Sequence, residues 1–316
     1  MISASAPGKV ILFGEHAVVH GYKAAAIPLP AIRATSSIGN RYYSLGTHIV
    51  APMIDLDADY ADLADSHPLK FTIDLFYARH PHVALSPITI SIESQIPISS
   101  GMGSGAAVTA SLLRSLFQFH KIDFSPQILS ELVHEVEKIH HGTPSGIDNT
   151  VVCFEQPVIF KKNQPLQTFS ITGEAILVIA NSGHTTPTHE TVAYVRQKLV
   201  DQPQTVTSIF TAIEETCLEG VQALQSSNFP FAGMSMRKNH QLLRDLGVSD
   251  PVLDRLVDTA IKAGAWGAKL SGGGRGGIII ALCSPEKEDF VGSSLENAGG
   301  VQIMTTPIAT DHGSIN

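Results

Sequence analysis

One junction limits what this chain can fold into more than any other: the run "SSGMGSGAA" at 99–107. Before it, "ITISIESQIP" (88–97) alternates isoleucine with polar residues, the period of a half-buried strand. After it, "AAVTASLLRSLFQFHK" (106–121) sets Leu112, Leu113, Leu116 and Phe117 at helical spacing. A helix start exposes unpaired N–H groups and the positive end of its dipole. Glycines immediately before it let the backbone approach an anion with no side chain in the way. A strand, a glycine loop and a helix in this order have the form of a phosphate cradle. The run is not a P-loop, because no GxxxxGK[ST] occurs. It is not a dinucleotide fingerprint, because no βαβ unit with a following acidic residue surrounds it. Taken alone, the loop reads equally well as a turn that holds nothing.

The length of 316 residues predicts two domains or one large one, and 43 % hydrophobic residues allow sizeable cores. A net charge of −8 with no cluster of Lys and Arg argues against nucleic acid or an anionic membrane as partner. A phosphorylated ligand would then need local groups: backbone amides, a metal ion or a single lysine. Cys153, Cys217 and Cys283 are odd in number and far apart, which argues against a disulfide framework or a zinc–thiolate site. They read as buried apolar thiols in a reducing compartment. The start "MISASAPGKVILFGEH" lacks the apolar core of a signal peptide. "AILVIA" and "IIIALC" are too short to span a bilayer. The sequence predicts a soluble, cytoplasmic protein.

Along the chain, 9–14 reads as a strand leading to a loop with Glu15 and His16. A helix is predicted over 127–140, stopped by Gly142 and Pro144, and a strand over 157–160. Residues 161–174 are polar and turn-rich, a linker by composition. A buried strand follows at 175–181, then helices at about 189–200, 205–226, 231–246 and 251–264, then the strands "GGIIIALC" and "GVQIMTT". Strands, helices and strands again predict an α+β fold of two domains, 1–165 and 166–316.

Three more segments bear on the glycine loop. "APGKVILFGEHAVVHG" (6–21) carries Lys9, Glu15 and His16 on one strand–loop unit. "HGTPSGIDNTV" (141–151) sets Asp148 among turn residues just after a helix, and "AKLSGGGRGGIIIAL" (268–282) is a second glycine-rich loop. In this order the segments resemble the GHMP kinase superfamily, over most of the chain from Ala6 to Leu282 and least specifically at 30–85. "GEHAVVHG" lacks the Asp that galactokinases carry, and "HGTPSGIDN" is very similar to the mevalonate kinase version. The resemblance implies a two-domain fold, with an N-terminal ribosomal-protein-S5-like domain and a C-terminal ferredoxin-like α/β domain, and an active site in the cleft between them. It implies transfer of the γ-phosphoryl of ATP to the 5-hydroxyl of (R)-mevalonate, in isoprenoid biosynthesis. Another small-molecule kinase, an ATP-dependent mevalonate-pathway decarboxylase or a non-catalytic relative are the alternatives. It leaves room for a homodimer.

Carried over residue by residue, the resemblance places Asp148 at the substrate hydroxyl, as base or as electrostatic anchor. Lys9 would lie between Asp148 and the phosphate, its charge offsetting the negative charge of the transferring group. Pro97, Ser99, Ser100, Gly101, Met102, Gly103, Ser104, Gly105, Ala106 and Ala107 would form the ATP loop. Glu137, eleven residues before Asp148, would hold Mg2+, which favours oxygen ligands. Glu15, His16 and Thr188 would face mevalonate. Two departures stand out. The superfamily's usual run is GLGSSAA; here Met102 keeps the apolar volume, but Gly105 removes a hydroxyl that can join the magnesium shell, so water or Ser104 must serve. Arg275 stands where a glycine is common, and reaches either a phosphate or solvent. His16 and His20 have i, i+4 spacing but no third metal ligand, and "HEVEKIHH" has Lys138 where a zincin needs histidine.

Overall fold

The computed structural model describes residues 1–41, 46–98, 100–141 and 144–308. The chain begins with β1 (Ile2–Phe13), β2 (Ala24–Asn40), β3 (His48–Ala51), β4 (Leu56–Asp59), α1 (Pro68–Arg79), β5 (Ile88–Ser94), α2 (Ser104–Phe119), α3 (Pro126–His141) and α4 (Ile147–Phe154). It continues with β6 (Val158–Phe160), β7 (Gln167–Thr168), β8 (Ile176–Asn181), α5 (Thr188–Asp201), α6 (Pro203–Gln225), α7 (Phe229–Leu246) and α8 (Pro251–Lys262). It closes with β9 (Gly267–Ser271), β10 (Ile278–Cys283), α9 (Glu288–Asn297) and β11 (Gln302–Pro307). Two compact units form. The first holds Met1–Lys9, Pro30–Ile98 and Gly103–Glu155; the second holds Val10–Leu29, Ser99–Met102 and Gln156–Asn316.

In the first unit the later part of β2 pairs antiparallel with β5, from Ala34↔Ser94 to Asn40↔Ile88. β3 runs parallel to β5 and antiparallel to β4. Ile88, Ile90 and Ile92 are buried while Thr89 and Ser91 are not, as the alternation requires. α2 is the central helix: Ala106, Ala110, Leu112, Leu113, Leu116 and Phe117 are buried. Phe117 meets Phe76 of α1 edge-on, with ring centroids 5.1 Å apart. Asn149 of α4 donates through Nδ2 to the backbone oxygen and the hydroxyl of Ser130 on α3, at 3.1 and 2.8 Å. That clamp fixes the start of α4 against α3.

The second unit is built on an antiparallel sheet in the order β11-β8-β10-β9. Every residue of β10 is buried, which explains why "IIIALC" shows no alternation. Phe210, Leu243, Leu253, Leu256 and Leu270 form the core beside it. α7 approaches β9 so closely that a Cβ on Gly267 would fall 1.9 Å from the Gly233 carbonyl oxygen, so only glycine fits. The turn-rich stretch 161–174 is more structured than its composition predicts. β7 pairs with β6, and Phe169 and Ile171 are buried, so two apolar side chains among polar ones tie it down.

Candidate active site

In the first unit, four elements bring their sequence-predicted residues together. β1 delivers Lys9, whose Nζ lies 3.1 Å from Asp148 Oδ1 in the first turn of α4. The lysine is 3 % exposed and the aspartate 31 %, so the pair presents its carboxylate and hides its ammonium. Gly103 precedes α2 at φ +72°, and no side chain caps the helix there. A Cβ on Gly103 would sit 3.0 Å from Lys9 Cγ, so the lysine stem runs over a glycine, and a larger residue there would strain the backbone and push the stem aside. The first-turn amides of α2 thus begin directly beside the buried ammonium. Ser104 opens the helix, and a Cβ on Gly105 would meet nothing within 4 Å. Ala106 and Ala107 turn inward to the core.

Glu137 on α3 is 6 % exposed. Burial above all, then the charge of Asp148, pushes its carboxyl up to about 8, with Lys9 opposing. A buried carboxyl beside a second carboxylate is a site that gains from a cation, and all-oxygen donors suit a divalent hard ion. The buried Glu137 carboxyl beside Asp148 is thus of a chemistry that suits magnesium. Sequence reasoning missed Asn149, the amide that seats Asp148 against the helix carrying Glu137. Its only signal was its place next to Asp148.

Ser99 lies outside the described residues. Ser100, Gly101 and Met102 belong to the second unit, and Met102 is wholly buried, which accounts for the apolar requirement at that position. Gly101 abuts the second glycine loop: a Cβ on it would lie 3.4 Å from Gly272 Cα. The two loops meet backbone to backbone. A shallow depression there is lined by Ser100, Gly101, Thr185, Thr186, Thr188 and Gly273, among others. Thr188, exposed at the start of α5, comes within 3.1 Å of where a Gly273 Cβ would be.

His16 is buried at φ +60°, and its Nε2 lies 2.9 Å from the Gly273 carbonyl oxygen. A carbonyl only accepts, so Nε2 carries the ring hydrogen. Burial pushes this ring down to about 4, so it is neutral at pH 7. Glu15, expected to face substrate, has a fully buried side chain paired with Lys269, which is fully buried too. Burial drives the Glu15 carboxyl up and the Lys269 ammonium down, while their mutual attraction opposes both shifts. Arg275 is half-buried rather than pointing freely to solvent. It packs 3.9 Å over the Tyr194 ring and donates through Nε to the Gly247 carbonyl oxygen at 3.1 Å. His20 stacks on Phe210 at 4.8 Å. All three cysteines are buried.

Residues 68–156 match the family model for the GHMP kinases N terminal domain, and 221–301 match that for the GHMP kinases C terminal domain. The chain belongs to the GHMP kinase family. Among these kinases it is 32 % identical over 322 residues to a curated mevalonate kinase of Thermococcus sibiricus, covering 96 % of this chain and 95 % of that one. It is 31 % identical to that of Pyrococcus furiosus, with the same coverage of both chains. A crystal structure of L. major mevalonate kinase in complex with R-mevalonate has the same fold, with TM-score 0.85 at 24 % identity, covering 98 % of this chain and 96 % of that one. The GHMP kinase fold, with its mixed helix and sheet, is therefore the one the resemblance implied. No helix among the described residues is long and apolar enough to cross a membrane.

Proposed function

We propose that this GHMP kinase transfers the γ-phosphoryl group of ATP to the 5-hydroxyl of (R)-mevalonate, giving 5-phosphomevalonate in isoprenoid biosynthesis. The observation that carries the reaction is the Lys9–Asp148 pair beside the glycine-led start of α2. Similarity to curated mevalonate kinases over 96 % of the chain supports the substrate.

Asp148 orients the substrate hydroxyl by hydrogen bond and receives its proton as the bond to phosphorus forms. Lys9, held at 3.1 Å, offsets charge on the transferring group, and its burial sharpens that effect. The first-turn amides at Gly103, Ser104, Gly105 and Ala106 hold phosphate oxygens, with Pro97, Ser99, Ser100, Gly101 and Met102 leading the backbone into the loop and Ala107 closing the turn through its amide, which donates to the Gly103 carbonyl oxygen at 2.9 Å. Glu137 and Ser104 are the residues that would hold Mg2+, which supplies a Lewis acid neutralising phosphate charge. His16 and Thr188 contact mevalonate, with Glu15 behind His16. The same reading divides the chain into halves near 165, between the two family-model matches. It places the enzyme in the cytoplasm, working without nucleic acid or membrane.

The test is release of ADP from ATP and Mg2+ by the purified protein on addition of mevalonate. Turnover with mevalonate, exceeding that with galactose, homoserine or phosphomevalonate, is expected. Turnover with one of those and none with mevalonate would overturn the substrate.

A further inference from the structure

The segment from Ile11 to His16 is tied at Ile11, Gly14, Glu15 and His16 to α7, to β9 and to the loop after it. Ser271 Oγ accepts from the Ile11 amide at 3.1 Å and donates to the Ile11 carbonyl oxygen at 3.0 Å. Asn239, itself wholly buried, accepts from the Gly14 amide at 3.4 Å and donates to Glu15 Oε2 at 3.3 Å. Lys269 donates to Glu15 Oε1 and to the Leu270 carbonyl oxygen. His16 ends the series on Gly273. Between these anchors the chain takes two left-handed conformations, φ +100° at Gly14 and φ +60° at His16. A non-glycine residue at φ +60° is uncommon and persists only where its surroundings hold it.

A fully buried ion pair is a poor way to gain stability. Removing both charges from water costs about as much as their attraction returns, and an apolar pair of the same volume often does as well or better. What the pair does supply is direction. An apolar contact tolerates sliding, whereas a carboxylate held by an ammonium on one oxygen and an amide on the other has one arrangement. The residue after this carboxylate is His16.

We propose that Lys269 and Asn239 are positioning residues: through Glu15 they hold the 14–16 turn so that the His16 ring and the Gly273 backbone keep one mutual arrangement for mevalonate. This rests on the reading of His16 as a substrate contact. It also changes the role of Glu15, which acts through His16 and does not touch substrate itself.

The experiment uses the full chain with three variants: Lys269→Met, the neutral pair Glu15→Gln with Lys269→Met, and Asn239→Ala. Lys269→Met alone leaves a buried carboxylate without its cation, so a soluble-expression loss is expected there and rescue by the added Glu15→Gln change. The neutral pair is expected to fold and to raise the KM for mevalonate about tenfold or more, with the KM for ATP within about twofold of the original. Asn239→Ala is expected to move the same constant in the same direction by less, and decides the matter if the neutral pair does not fold. In the proton NMR spectrum, the slowly exchanging His16 Nε2–H signal is expected in the original protein and lost from these variants. Unchanged constants, or equal rises in both KM values, in a folded variant overturn the proposal, as does a His16 signal that stays protected. If the original protein does not turn over mevalonate, the functional reading fails instead, and the NMR signal still judges the positioning.

Discussion

Lys9 and Asp148 form an ion pair at 3.1 Å in which the lysine is buried and the aspartate is one-third exposed. The exposed member can meet a substrate while the hidden member supplies a fixed charge behind it. Asp148→Asn keeps the shape and removes the proton acceptor. The expected result is a fall in kcat of about 10²–10⁴, with the KM for ATP within about twofold. Steady-state kinetics with each substrate varied in turn checks it, and a near-normal kcat would show that the aspartate is not the acceptor.

Gly103 and Gly105 lie two residues apart and have opposite tolerances. At φ +72° and 3.0 Å from the Lys9 stem, a Cβ on Gly103 strains the backbone and moves the lysine. Gly103→Ala is expected to lower stability by about 1–3 kcal/mol and to reduce kcat with it. At Gly105 the Cβ enters open space. Gly105→Ser is expected to leave stability unchanged or raise it by about 0.5 kcal/mol, since glycine inside a helix is the weaker former. Its hydroxyl is also expected to lower the Mg2+ concentration at half-maximal rate. Thermal melts and magnesium titrations of both variants test the contrast; equal losses in the two would remove it.

Glu137→Gln keeps the volume of the buried group and deletes its charge. The expected outcome is a higher magnesium requirement with little change in the KM for mevalonate. A rate-versus-Mg2+ curve that superimposes on the original would take Glu137 out of the metal site.

Acid should destabilise the protein through two buried rings. Burial pushes His16 and His240 down to about 4 each. His240 Nδ1 accepts from the Leu270 amide at 3.3 Å and Nε2 donates to Asp254 at 3.1 Å, an arrangement only the neutral ring can make. A ring whose folded value lies below its unfolded 6.5 adds its full stability above pH 6.5 and loses it as pH falls towards 4. Each contributes up to about 3 kcal/mol on this account. Urea midpoints between pH 7.5 and 4.5 should fall, and His240→Asn should be less stable at pH 7.5 but flatter with pH. Parallel slopes for the two proteins would contradict it.

Arg275→Ala should leave the KM for ATP within about twofold and lower stability by about 1 kcal/mol, because the guanidinium rests on Tyr194 and Gly247. A large rise in that KM would return Arg275 to the phosphates.

Elements with a clean period were legible in the sequence. The isoleucine alternation gave β5 to within three residues, and apolar spacing gave α2, α6, α7 and α8. β2 was not legible, because Pro28, Pro30 and a run of alanines mask a strand of 17 residues. α1 was not legible: Leu69, Ile73 and Phe76 are buried at helical spacing behind Pro68, but Phe71 and Leu75 fall between them in the sequence and blur the apolar face. β9 was hidden because "AKLSGGG" looks like the edge of a loop. Lys269 was missed for the same reason: a lysine reads as exposed, and its burial is decided by Glu15, 254 residues away. Local pattern carries no information about so distant a partner. Lys9, Glu137 and Asp148 were singled out by the resemblance, which implied their roles; the structure adds that Lys9 and Glu137 are buried and that Lys9 pairs with Asp148.

The most direct measurement is the mass of the product formed from (R)-mevalonate, ATP and Mg2+ by the original enzyme, with Asp148→Asn run in parallel. The account predicts mevalonate plus one phosphoryl group in stoichiometry with ADP, and almost none from the variant. A product that has lost carbon dioxide, or ADP release with mevalonate unchanged in mass, would contradict it.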